Sequence, residues 1–286
     1  MRLKHLVILL IVFGLLLAPL PLGPLVGRWP ALAHTLENSA HPLLFWWLAA
    51  VLLRSFRVGL PSAVIRYIVT FLACLVLALG TEYLQSLLGR DSSWEDARND
   101  MLGALFALLL GASRESAGRP RARAWAACGA VVVAAVAAFP LAWICAAYAW
   151  RATAFPVLWQ SDAPLARPFS YWKQDAYPGL VLDEPARDWR GYSSLELRLR
   201  SRSAEGTRVN LRVHDVAHNH QFSDRYNAGF DLKGSGEQTL RIPLERIQRG
   251  PATRELDLSA IRGLVVFQEY GNEPPRFVLQ DIRLVP

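Results

Sequence analysis

Two stretches of this sequence gather enough polar chemistry, at meaningful spacing, to build a site. The first runs from Thr81 to Gly103. Glu82 and Gln85 stand three residues apart, so on a helix they share a face. Asp96, Asp100 and Gly103 follow at spacings of four and three, again one face. Residues 89–93 form the turn between these helices, with Asp91, Ser92 or Ser93 available as the cap of the second. So short a connection makes the helices antiparallel neighbours, and Gly103 lets their backbones approach. Glu82, Gln85, Asp96 and Asp100 then converge, with Arg90 above them. Such a set can bind a head group, a divalent cation or a proton. It can equally be a hairpin pinned by an Arg90–Asp96 pair.

The second stretch is Val213 to Asn227. It holds His214, Asp215, His218, Asp224, Arg225 and Tyr226, and three of the chain's six histidines. Sugars are held by aromatic faces and planar polar side chains, which this composition supplies. His and Asp are also metal ligands. The plain alternative is a solvated hairpin whose turn is fixed by Asp224 and Arg225. This half of the chain has no set of nucleophile, base and orienting group, no nucleophile elbow and no Gly-rich phosphate loop.

The elements that must position these residues differ between the two halves. Across 286 residues the chain is 52% hydrophobic, 19% charged and carries a net +7. Residues 1–150 hold only 12 Lys/Arg and 7 Asp/Glu, whereas residues 151–286 hold 19 and 17. This contrast indicates a membrane-embedded half followed by a soluble half. It excludes a plain cytosolic enzyme. It also excludes a nucleic-acid partner, because the soluble half has no basic run. The three cysteines, Cys74, Cys128 and Cys145, all fall in apolar segments and supply no metal-type spacing.

Apolar runs predict about five transmembrane helices in residues 1–150, at 6–27, 42–60, 65–88, 99–113 and 124–150. The first also has the look of a signal peptide, with Ala31-Leu32-Ala33 resembling a cleavage site. Basic residues cluster at Arg2 and Lys4, at Arg54, Arg57 and Arg66, and at Arg114 to Arg123. Five crossings put all three clusters on one side of the membrane. The expected arrangement is multi-pass, with the N-terminus on the cytoplasmic side and everything after Trp150 outside.

The second half has a linker at 151–169 and then strands. Residues 194–200, 209–214 and 239–244 alternate apolar and polar side chains, residues 264–268 form an apolar run, and residues 277–284 close the chain. Glycine-containing turns separate them at 233–236 and 271–272. This pattern predicts an antiparallel β-sandwich over 170–286.

The membrane half resembles the VanZ-like family of small integral membrane proteins over roughly residues 5–112. The family pattern of Glu-x-x-Gln, then Arg, then Asp-x-x-x-Asn-x-x-Gly falls on Glu82, Gln85, Arg90, Asp96, Asp100 and Gly103, and a preceding family histidine falls on His41. Asp100 departs from the pattern, standing where the family has Asn. The family takes its name from a protein linked to reduced susceptibility to the glycopeptide antibiotic teicoplanin, so the resemblance implies a cell-envelope membrane protein. The second half resembles a galactose-binding-like jelly roll, the architecture of many carbohydrate-binding modules. The pieces that carry this are residues 188–192, Pro243-Leu244 with a short helix after it, residues 256–261 and the closing strand.

Two functions stay open at this point. One is a non-catalytic envelope protein that binds a lipid, a lipid-linked cell-wall precursor or a glycopeptide, with the sandwich on an envelope glycan. The other is an intramembrane enzyme acting on a lipid head group through Glu82, Asp96 and Asp100. Neither requires a cofactor, although the acidic cluster admits a divalent cation.

Overall fold

Helices begin at Pro30 and Pro120, where a ring with fixed φ and no N–H fits a first turn. The structure, a computed structural model, describes residues 23–87, 94–174, 177–268 and 275–286. The chain divides into two units, Met1–Trp143 and Ile144–Pro286.

The first unit contains α1 (Gly23–Arg28), α2 (Pro30–Phe56), α3 (Ala63–Leu87), α4 (Trp94–Glu115) and most of α5 (Pro120–Ala154). Phe45, Leu48 and Leu52 of α2 pack against Cys74 and Ala78 of α3. From α4 come small residues, Ala104 and Ala107, which permit close backbone approach. The tightest point is Gly103, where a Cβ would lie 2.0 Å from the carbonyl oxygen of Pro42. Gly103→Ala is therefore expected to force α2 and α4 apart. A cost of about 1–3 kcal/mol follows for overpacking of this kind, read as a lower melting temperature of the full chain in detergent. An unchanged melting temperature would show that the contact carries no energy.

Among the described residues two helices, α3 and α5, are long and apolar enough to cross a membrane, where five were expected. The expected span at 6–27 lies almost wholly outside the described residues. The expected spans at 42–60 and 99–113 turn out to be parts of α2 and α4. Those helices carry Glu37, His41 and Arg54, and Glu95, Asp96 and Asp100. A helix that buries polar residues against a neighbour need not be apolar all round, so hydropathy and span do not coincide there. Apolar side chains of α3 such as Val64, Ile68, Leu72 and Val76 point outward, as do Val132, Val136 and Phe139 of α5.

The second unit is a sandwich of two antiparallel sheets. Its strands are β1 (Val157–Gln160), β2 (Ser170–Lys173), β3 (Gly179–Leu182), β4 (Ser194–Ser201), β5 (Thr207–Asp215), β6 (Tyr226–Leu232), β7 (Gly236–Pro243), β8 (Ile261–Phe267) and β9 (Phe277–Val285). One sheet has the order β1-β9-β4-β7, the other β2-β3-β8-β5-β6. A short helix, α6 (Leu244–Gln248), follows β7. Period-two alternation decides the faces. Leu195, Leu197 and Leu199 of β4 enter the core, while Arg198 and Arg200 face out. Leu180, Leu182, Leu211 and Val266 close the core from the other sheet, and Trp189 is wholly buried. Gly234 and Gly236 take positive φ of 59° and 123° in the β6–β7 turn, a conformation that costs glycine little.

The stretch 151–169, expected as a linker, is structured. It holds the end of α5, all of β1 and a 3-10 turn at Pro164–Phe169. Its prolines suggested a linker because they remove donors. In the fold Pro164 and Pro168 sit in that turn, where no ladder bond is needed, and β1 pairs with β9 alone at a sheet edge.

Candidate functional site

The strand register builds one continuous surface on the outer face of the five-stranded sheet. Tyr171 stands opposite Val181, Val181 opposite Val265, Val265 opposite Arg212, and Arg212 opposite Asn227. Because side chains alternate, everything in this row points the same way. The next row on that face runs through Lys173, Gly179, Phe267 and Asn210. A third place pairs His214 with Gly263. Together these rows floor a cleft of about 390 Å³, walled at one end by Phe222 and Arg225 and at the other by Tyr177. That volume lies within the usual range for small-molecule sites, roughly 300–1,000 Å³.

Aromatic surface is presented at several points. Tyr171 and Tyr177 are about half exposed and Phe222 more so. Tyr177 meets Phe267 edge-on, with ring centroids 5.8 Å apart. Arg225 lies over the Phe222 ring and donates from Nε to Asn227 Oδ1 at 3.1 Å. Asn227 in turn donates to the carbonyl oxygens of Phe222 and Arg225, which holds the wall in place. Small residues make room for the rings. A Cβ on Gly263 would come within 2.4 Å of His214 Cε1, so the imidazole lies flat against that glycine. Burial pushes the His214 pKa down to about 4, with His218, Arg212 and Arg225 adding to the effect. At neutral pH His214 is therefore an uncharged donor and acceptor.

Of the residues expected here, His214 and Arg225 line the cleft. Asp215, Asp224, His218 and Tyr226 do not, and each has a reason. Asp215 receives Arg254 Nη1 and Nη2 at 2.6 and 2.8 Å and the Asp257 N–H at 2.8 Å. Asp224 is held by the same guanidinium and by the Asn219 N–H. These two carboxylates form a clamp on Arg254 rather than a binding edge. The His218 ring Nδ1 sits 3.0 Å from the Asp224 carbonyl oxygen, which fixes the loop. Tyr226 points to the opposite face and is buried. Sequence reasoning missed Tyr171, Lys173, Tyr177, Arg212 and Phe267. Arg212 was visible as a polar position of an alternating strand. The others needed the register.

In the helical unit, His41 and Asp100 meet although 59 residues apart, with Nδ1 to Oδ1 at 2.9 Å. The Asp100 side chain has no solvent exposure. Glu82 and Gln85 of α3 are also buried, and Glu82 and Asp96 lie close enough to act on His41 electrostatically. Arg90, expected above this cluster, lies outside the described residues. Among the described residues no group of three or more His, Cys, Asp or Glu side chains is arranged to hold a metal ion. Away from this cluster, Glu115 of α4 pairs with Arg57 at 2.6 Å and with Arg66 of α3 at 2.7 Å.

No family model matches this chain, and no curated protein matches it. Solved structures do. A family 11 carbohydrate-binding module from Clostridium thermocellum, in complex with a β-1,3-1,4-mixed-linked tetrasaccharide, is 20% identical, covering 41% of this chain and 72% of that one, with a TM-score of 0.31. The family 11 module of the cellulosomal cellulase Lic26A-Cel5E from the same organism is 22% identical over 41% of this chain and 71% of that one, with a TM-score of 0.29. An exo-β-agarase is 17% identical over 40% of this chain and 19% of that one, with a TM-score of 0.32.

Proposed function

We propose that the second unit binds a glycan on the outer face of its five-stranded sheet. The observation that carries this is the cross-strand row from Tyr171 through Arg212 to Asn227, flanked by Tyr177 and Phe222. Exposed aromatic faces receive the apolar face of a pyranose. Arg212, Arg225, Asn227 and neutral His214 supply planar donors and acceptors for its hydroxyls. No catalytic group is assigned to this cleft, so the reading is of binding without turnover.

The reading predicts that Tyr171→Ala and Tyr177→Ala each weaken glycan binding by roughly tenfold, the equivalent of about 1.4 kcal/mol. The check is an array of bacterial envelope saccharides and plant β-glucans probed with the full chain in detergent. Selective binding lost in both variants supports the reading. A folded chain that binds no saccharide would sink it.

For the helical unit we infer a membrane anchor that holds a buried polar cluster. Support comes from α3 and α5, which are apolar, long enough to span and apolar on their outward faces. A bilayer is the solvent that suits such a surface. Arg114 stands in the last turn of α4, Arg119 lies just before α5, and Arg121 and Arg123 stand in the first turn of α5. By the positive-inside rule that end faces the cytoplasm, and the glycan-binding unit after α5 is extracytoplasmic. Protease added to intact spheroplasts should then cut the second unit. Protection until the membrane is opened would reverse the topology. The His41–Asp100 contact favours the VanZ-like reading of this unit, since it unites two positions of that pattern. In it the cluster of His41, Glu82, Asp96 and Asp100 contacts the head group of a lipid or lipid-linked precursor.

A further inference from the structure

We propose that the glycan carries acidic groups, and that Arg212 and Arg225 together bind one of its carboxylates or sulfates. This deepens the glycan reading and rests on it.

The argument starts from how arginines are treated on the two outer faces of the same sandwich. On the four-stranded sheet, carboxylates accompany them. Arg241 bonds Glu196 at 2.8 Å, Arg283 bonds Asp281 at 2.9 Å, and Arg198 lies 3.6 Å from both acids. On the five-stranded sheet Arg208 likewise has Asp231 at 3.4 Å, but the two arginines of the cleft are kept differently. Arg212 and Arg225 are both only partly exposed. Among the described residues neither has a carboxylate within ion-pair distance. Arg225 spends its Nε on the neutral amide of Asn227. Arg212 Nε is buried and has no partner among the described residues.

The two guanidiniums also repel each other across the cleft. Burial lowers the pKa of each; at Arg212 the Tyr171 hydroxyl and the Asp183 carboxylate offset part of this, while at Arg225 the charge of Arg212 adds to it. Among the described residues one carboxylate, Asp183, lines the same cleft. Half-buried like charges with so little opposite charge in ion-pair contact are costly to keep. A ligand anion removes that cost on binding. Guanidinium is the group whose planar fork matches a carboxylate or a sulfate in two-point contact. Aromatic faces beside the pair make the anion part of a sugar rather than a free ion. Among the described residues a neutral glycan would leave Arg225 without a counter-charge and Arg212 with Asp183 alone.

The test uses the full chain in detergent and isothermal titration with two probes. One is a tetrameric oligogalacturonide, and the other is the same oligomer with its carboxylates reduced to alcohols. The expected result is at least tenfold tighter binding of the acid form. Arg212→Gln and Arg225→Gln should erase that preference, so that the acid form binds no tighter than the reduced form. Tyr171→Ala should weaken both forms alike. Equal binding of the two probes would overturn the inference and leave the glycan reading standing. Absence of binding by either probe, and by neutral β-glucan oligomers, would overturn the glycan reading itself. Acid-selective binding that is indifferent to Tyr171→Ala and matched by inorganic sulfate would show a simple anion site, and would overturn both.

Discussion

Replacing Arg254 by alanine is expected to open the end of the sandwich where β5 leaves and β6 begins, and to reverse the local response to acid. Arg254 bridges Asp215 and Asp224, with the His218 ring 3.5 Å from Asp224 as well, and the Asp215 side chain has no solvent exposure. Removing the partner of a buried carboxylate costs about 3–5 kcal/mol. Hydrogen exchange of β5 and β8 in the full chain should then accelerate by roughly two to four orders of magnitude at pH 7. Burial alone would raise the pKa of Asp215, but the bonds from Arg254 and the Asp257 N–H prevail and hold it below the ordinary value. Asp224 is held lower still, first by Arg254 and then by the Asn219 N–H. Groups depressed in the fold stabilise it fully above about pH 4 and lose that contribution as pH falls through their folded pKa values. Without Arg254, burial dominates at Asp215 and its folded pKa rises. The variant then regains ground on the wild type as pH falls from 7 towards 4. His214, pushed down to about 4, weakens both proteins over roughly pH 6.5 to 4, and this cancels in the difference. An exchange rate within threefold of wild type would mean that the clamp holds no energy.

That clamp also shows how far the sequence could be read. The alternation of β4, β5, β7 and β9 was legible because each strand buries one face and wets the other. The polar density of 213–227 was legible too. Its division into two jobs was not, because Arg254 lies 39 residues beyond Asp215 and nothing local announces the pair. The binding row was hidden for a related reason. Tyr171 and Lys173 sit on a strand of only four residues, whose intervening Trp172 is itself aromatic, so the two faces look alike. Cross-strand register, which is a property of the fold, brings Tyr171 into line with Arg212. In the helical unit, spacing put Asp96, Asp100 and Gly103 on one face of α4, but the partner of Asp100 came from α2. The lengths of α2 and α4 were misread because polar residues turned onto a neighbour look, in sequence, like the ends of a span.

His41→Leu is the helical counterpart of the Arg254 experiment, with an expected loss of the same order, about 3–5 kcal/mol. Asp100 is wholly buried, its Oδ1 depends on His41, and its Oδ2 has no partner among the described residues. Glu82 and Asp96 are near enough to add like charge. Losing the imidazole therefore leaves a buried carboxyl group without its partner, and the full chain in detergent should melt well below the wild type. Asp100→Leu made in the same background should recover most of that loss, because an apolar pair can replace a buried polar one at little cost. The four proteins form a double-mutant cycle whose coupling term isolates the His41–Asp100 contact. A coupling energy near zero would show that the two residues are neighbours without being partners. A large one, with the double variant folded, gives a chain in which the polar cluster has been emptied and the scaffold kept. Head-group binding measured on that chain separates what the cluster does from what it holds together. Retained binding would assign the pair to packing, and lost binding would assign it to the ligand.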